Sequence, residues 1–174
     1  MKEIRYETPI EQIDFTLPTI FLAGPTVRGH QPHLISWRLA AVDLFKKQSF
    51  SGNLIIPEFT AKMESDKYRY GVPIWEYNGL QKSHVIMFWI PRTRELIGLT
   101  TNYELGYWVA SNRDKIIYGR PDDAYRMTYC DIMWLEDAKR KSREVKVPVP
   151  CPIYNTLEKT VNAVLHKVNL IWVL

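Results

Sequence analysis

Cysteine is nearly absent: Cys130 and Cys151 are the two among 174 residues. They stand alone, with no CxxC pair and no Cys/His spacing, which excludes a disulfide framework and a zinc site. The four histidines (His30, His33, His84 and His166) also lack ligand spacing. No apolar stretch approaches membrane-spanning length. The opening "MKEIRYETPIEQIDF" is charged and has no apolar segment of the kind a secretory signal needs. Excess charge of either sign is small, at a formal +4. The one basic run, "KRKSREVK" from Lys139 to Lys146, has no interleaved aromatics and reads as a solvated helix end or loop, not a nucleic-acid patch. These absences lead to the expectation of a cytoplasmic protein with no metal or other cofactor, no membrane and no nucleic-acid partner.

Aromatic residues are plentiful, with six Trp and ten Tyr. A bulky core would use them, and so would a pocket or a subunit contact. The chain length suits one domain, residues 1–174, of which 1–17 read as an arm lying on the domain or on a neighbouring subunit. Three apolar runs, "TIFLAG" (19–24), "NLIIPE" (53–58) and "HVIMFWIP" (84–91), are joined by a fourth, "KIIYG" (115–119). None alternates polar with apolar, so each reads as a strand buried on both faces.

Helical segments fall between these runs. "SWRLAAVDLFKKQ" (36–48) sets Trp37, Ala40, Ala41, Leu44 and Phe45 on one face. "VPIWEYNGLQKS" (72–83) accepts Pro73 in a first turn, and "NYELGYWVASN" (102–112) precedes the fourth strand. Strands alternating with helices predict an α/β fold, a flavodoxin-like or Rossmann-like parallel sheet with helices on both faces. Further along, residues 122–141 read as helical, 145–154 as extended and broken by proline, and 155–168 as an amphipathic helix capped by Asn155.

Ligands of an open parallel sheet sit beyond the carboxyl ends of its strands. The four exits here read "GPTVRG", "PEF", "PRTRELIGLTTNYELG" and "GRPDD". They should converge Arg28, Glu58, Arg92, Thr100, Thr101, Glu104 and Asp122 on one rim. Gly24 and Pro25 shape the first exit, which is not a GxGxxG loop. Arg28 suits a phosphate or carboxylate as well as it suits open surface. Asp122 and Asp123 read as a helix start. Thr101 to Glu104 fits a capping box, in which Glu104 reaches back to the Thr101 N–H. A helix N-terminus would also keep Glu104 ionised at neutral pH, as a nucleophile requires.

The stretch "WEYNGLQKSHVIMFWIPR…IGLTTNYELGYWVASN", with "IFLAGP" at 20–25, resembles the nucleoside 2-deoxyribosyltransferases and their relatives that hydrolyse nucleotide N-glycosidic bonds. The resemblance implies that Glu104 is the nucleophile and Glu76 the acidic residue at the nucleobase. It places Asn78, of the Asn-Gly pair, and Asn102 near the substrate. Phe21 stands where the transferases carry Tyr, and Thr100 and Thr101 occupy the stretch where they carry a sugar-contacting Asp. The nucleotide hydrolases surround a 5′-phosphate with hydroxyls and an early-loop Arg, a part that Arg28 and Thr100 or Thr101 would take. The chemistry so implied is cleavage or transfer at the N-glycosidic bond of a small nucleoside or nucleotide, through a covalent glycosyl-Glu104 intermediate. The resemblance also implies a homo-oligomer whose neighbour helps close the pocket. A non-catalytic nucleotide-binding module on the same fold is the alternative.

Overall fold

The computed structural model describes residues 1–28, 31, 33–60 and 71–172. Within them lie five strands: β1 (Lys2–Ile4), β2 (Thr19–Ala23), β3 (Asn53–Ile55), β4 (Val85–Trp89) and β5 (Ile116–Gly119). Five α-helices accompany them: α1 (Trp37–Lys47), α2 (Gly71–Lys82), α3 (Leu99–Asn112), α4 (Thr128–Val145) and α5 (Leu157–Trp172). Every strand pair is parallel and the order across the sheet is β1-β3-β2-β4-β5. Counted from β2, the strands run 2-1-3-4, the flavodoxin-like order. The arm adds β1 beyond β3, and a lone parallel bridge from Gly119 to Tyr154 stands on the far side of β5.

The continuous apolar runs have the burial that a doubly covered sheet demands, since β2 and β4 are buried at every position. Alternate side chains enter opposite layers. Phe21, Ala23, Ile86 and Phe88 pack with Trp75, Leu80, Leu105 and Trp108 beneath α2 and α3. Ile20, Leu22, Val85 and Met87 pack with Phe45, Val161, Val164 and Val168 beneath α1 and α5.

Several local expectations move. Helix α1 buries Trp37, Arg38, Ala41, Val42 and Phe45, while Ala40 is exposed and Leu44 half-buried. The inward stripe is rotated because Arg38 satisfies its guanidinium inside the protein. Helix α3 begins at Leu99, with Gly98 as its N-cap in the left-handed region (φ 59) and no side-chain cap. Thr101 therefore lies inside the helix and is buried, which removes the capping box. Asp122 and Asp123 sit in a turn before α4, not at its start, and Asp122 accepts from Asn155 Nδ2 at 3.0 Å. At α5 the hydroxyl of Thr156 accepts the Lys159 N–H at 3.2 Å, so the cap falls one residue after Asn155.

Two glycines bring the strand exits together. A Cβ on Gly24 (φ 149) would come within 2.2 Å of the Trp89 carbonyl oxygen, so only glycine lets the first exit cross beside β4. A Cβ on Gly98 would lie 2.6 Å from Pro25 Cβ, so glycine also allows the start of α3 to touch the first exit loop. The arm closes the same corner from below. Trp75 Nε1 donates to the Thr8 carbonyl at 2.8 Å, and Tyr6 packs its ring edge-on against Trp75 at 4.9 Å. The arm thus lies on its own domain.

Candidate active site

A cavity of about 300 Å³ opens between α2 and α3. Helix α2 contributes Pro73, Glu76, Tyr77 and Leu80 to its wall, a set at i, i+3, i+4 and i+7 that shares one face. Helix α3 contributes Thr100, Tyr103, Glu104, Tyr107 and Trp108, again one helical stripe. The side of α3 that meets the sheet carries buried Thr101, Leu105 and Val109, and buried Trp108 belongs to both sides. Glu104 stands on the boundary between core and solvent, where a carboxylate loses much of its water.

That placement sets its titration. Burial first, and the charge of Glu76 second, push the Glu104 carboxyl up to about 7, with Arg38 pulling the other way. The expectation of a fully ionised Glu104 at neutral pH is corrected accordingly. The residue lies past the first turn of α3, so the helix terminus does little for it, and desolvation wins. Glu76 is also raised by burial, but the Tyr6 hydroxyl, Arg38 and Arg28 each oppose the rise. The surroundings of the pair differ: Glu76 has one donor and two cations opposing its rise, whereas Glu104 has Arg38 alone.

Tyr6 is the first functional residue that the sequence did not disclose. Its hydroxyl donates a short hydrogen bond to Glu76 Oε1 across 70 positions of chain. Burial and the two carboxylates raise the phenol so far that it stays a donor at all working pH. The second is Arg38, 1% exposed. Its Nε donates to the Leu22 carbonyl at 3.0 Å and its Nη2 to that of Gly24 at 2.8 Å. Its Nη1 reaches the Pro25 carbonyl, the Thr26 hydroxyl and, at 2.9 Å, Glu58 Oε1. This one guanidinium pins the first strand exit and acts as a fixed positive charge behind both carboxyl groups. A hint was present, since Arg38 falls beside Trp37 on the face that Ala41 and Phe45 bury.

The sequence-derived set separates into parts. Glu76, Glu104 and Thr100 line one cavity. Arg28 is exposed on the first exit loop, yet its charge still reaches Glu76. Glu58 is engaged by Arg38 and by the Ser36 hydroxyl at 2.7 Å, and so braces the rim. Gly24 and Pro25 give their carbonyls to Arg38, with Pro25 also accepting from Trp37 Nε1 at 3.0 Å, and shape the loop. Asn102 Oδ1 accepts from buried Arg92 Nη2 at 2.5 Å and from Cys130 Sγ at 3.4 Å, away from the cavity wall. Asn78 is half-buried on α2 and lies outside that wall, as does buried Thr101. Asp122 belongs to the far corner with Asn155, so the full rim convergence is not found.

Phe21 lies under Gly79, where an added Cβ would meet its ring at 2.9 Å. A phenol reaches Glu76 from the arm, through Tyr6. Among the described residues no group of His, Cys, Asp and Glu could hold a metal ion. No helix among them is long and apolar enough to cross a membrane.

A carboxyl group poised near neutrality, a second one held by a phenol, and aromatic walls can together attack an electrophilic carbon and manage a proton on a flat leaving group. No protein-family model matches the chain, and no curated protein matches it, so this geometry and the sequence resemblance carry the functional reading.

Proposed function

We propose that the protein cleaves the N-glycosidic bond of a nucleoside or nucleotide, by transfer to another base or to water, with Glu104 as nucleophile. The observation that carries this reading is the carboxyl pair at one aromatic-walled cavity, Glu104 with Glu76, the latter bonded to Tyr6. In this reading ionised Glu104 attacks the anomeric carbon as the C–N bond breaks, giving a glycosyl ester through an oxocarbenium-like transition state. The pair carries one proton, held on Glu76 while ionised Glu104 attacks; Glu76 holds the departing base and passes it that proton, so the base leaves as a neutral molecule. The incoming base or water then gives a proton back to Glu76 as it bonds to the anomeric carbon, which breaks the ester and regenerates the Glu104 carboxylate.

Tyr77, Tyr103, Tyr107 and Trp108 supply flat apolar surface for a base. Tyr103 and Tyr107 stack at 6.4 Å, and Tyr103 is 77% exposed, leaving a face that a neighbouring subunit would cover. Arg28 and Thr100 favour an anionic 5′ end over a plain hydroxyl, since a guanidinium and a hydroxyl both donate to phosphate.

The test is a panel of nucleosides and their 5′-monophosphates, incubated with and without a free acceptor base, with base release followed by chromatography. Release that disappears in Glu104→Gln supports the reading. Release unchanged in a folded Glu104→Gln protein, or no release from any member, sinks it. Loss of a monophosphate preference in Arg28→Ala would assign the phosphate to Arg28.

A further inference from the structure

A second and larger cavity, about 560 Å³, lies on the other side of β5, between α5 and the proline-rich segment that leads to Tyr154. Its floor is the sheet edge, lined by Ile117 and Tyr118, where among the described residues the chain pairs outward through the Tyr154 bridge. Pro150, Pro152 and Leu170 give apolar walls.

The charged lining is one-sided. Arg113, Lys159 and Lys167 face a single acid, Asp114, which is itself 3.7 Å from Lys141. Arg113 is 3% exposed, and its guanidinium lies 3.5 Å above the Trp134 ring centre. Its Nη1 donates to the Trp134 carbonyl at 2.8 Å and to Asp137 at 3.1 Å. Its Nη2 is buried with no hydrogen-bond partner among the described residues. A buried guanidinium nitrogen without an acceptor costs free energy, and such groups in folded proteins call for an explanation. Asp137, its one anionic partner, is shared with Arg140 at 2.7 Å. Burial also lowers the Lys167 ammonium, with Asp114 opposing the fall.

We propose that this cavity is a binding site for a small organic anion, an apolar body bearing one carboxylate, sulfonate or phosphate group. The anionic group meets Lys159 and Lys167, with the buried charge of Arg113 behind them, and the body lies on Ile117, Pro150 and Pro152. The size suits it, since small-molecule sites span about 300–1,000 Å³ with mostly apolar walls and few polar groups. The site is independent of the carboxyl pair, because none of its lining residues touches the cavity between α2 and α3.

The test titrates the full chain with 8-anilinonaphthalene-1-sulfonate and, separately, with the uncharged N-phenyl-1-naphthylamine, by fluorescence and calorimetry. Two variants are compared: Lys159→Glu/Lys167→Glu, which reverses charge on α5, and Ala163→Trp, which fills the cavity from the same helix. Circular dichroism checks their folding. The expected result is one sulfonate per chain, bound at least tenfold more tightly than the neutral analogue. That affinity falls at least tenfold in the charge reversal and is lost in Ala163→Trp. Equal affinity for the neutral analogue, or sulfonate binding unchanged in the folded charge-reversal variant, overturns the proposal.

Discussion

Replacing Glu104 by Gln should make the protein more stable at alkaline pH while removing its activity. In the folded chain the Glu104 carboxyl is held at about 7, against an ordinary 4.5. One pKa unit corresponds to about 1.4 kcal/mol, so the gap amounts to about 3 kcal/mol when the group is buried, and about 2 kcal/mol after allowing for its partial exposure. The folded state binds this proton more tightly than the unfolded one. The associated stability is therefore complete below about pH 4.5 and disappears as pH rises through 7. Gln is neutral throughout and keeps the shape, so Glu104→Gln should match wild type near pH 4.5 and exceed it by about 2 kcal/mol at pH 8. Urea denaturation at the two pH values measures this directly. A difference that does not change with pH, or a variant less stable at pH 8, would refute the argument that Glu104 is held charged at a cost to the fold.

Three further outcomes rest on the same geometry. Glu76→Gln removes the charge that helps raise Glu104, so the acid limb of residual turnover should fall below pH 7 as activity drops, as read from a pH–rate profile. Tyr6→Phe keeps the contacts with Trp75 and Phe59 but strips the donor from Glu76. It leaves the half-buried Glu76 carboxyl without its donor and should cost about 1–3 kcal/mol by urea titration. Arg38→Ala leaves Glu58 and the carbonyls of Leu22, Gly24 and Pro25 without their buried donor, and should cost about 3–5 kcal/mol in denaturation.

The sheet could be read from the sequence because burial on both faces leaves a plain mark. Runs such as Val85–Trp89 have no polar alternation, and the helices between them fix the parallel connection. Helix boundaries were less legible. The start of α3 depends on Gly98 adopting a left-handed conformation against Pro25, a contact made across the fold and not within the segment. The Thr101–Glu104 spacing imitates a capping box one turn too late. Of the candidate site, Glu76 and Glu104 stood out through their setting in "WEYNGL" and "NYELGY", and both line one cavity. Tyr6 could not be found this way, because it reaches Glu76 only after β1 has joined the sheet beside β3. Asn102 shows the opposite error: it sits beside the right residues but turns its amide oxygen to Arg92.

The most direct test of the central claim is to trap the intermediate. A nucleoside or nucleoside 5′-monophosphate bearing fluorine at C2′ forms the glycosyl ester but resolves it slowly, because fluorine destabilises the oxocarbenium-like transition state of the second step. Intact-mass and peptide mass spectrometry after incubation should show one added sugar or sugar phosphate per chain, located on Glu104 and absent in Glu104→Gln. Base released with no label on the chain, or a label on any other residue, would contradict Glu104 as the nucleophile.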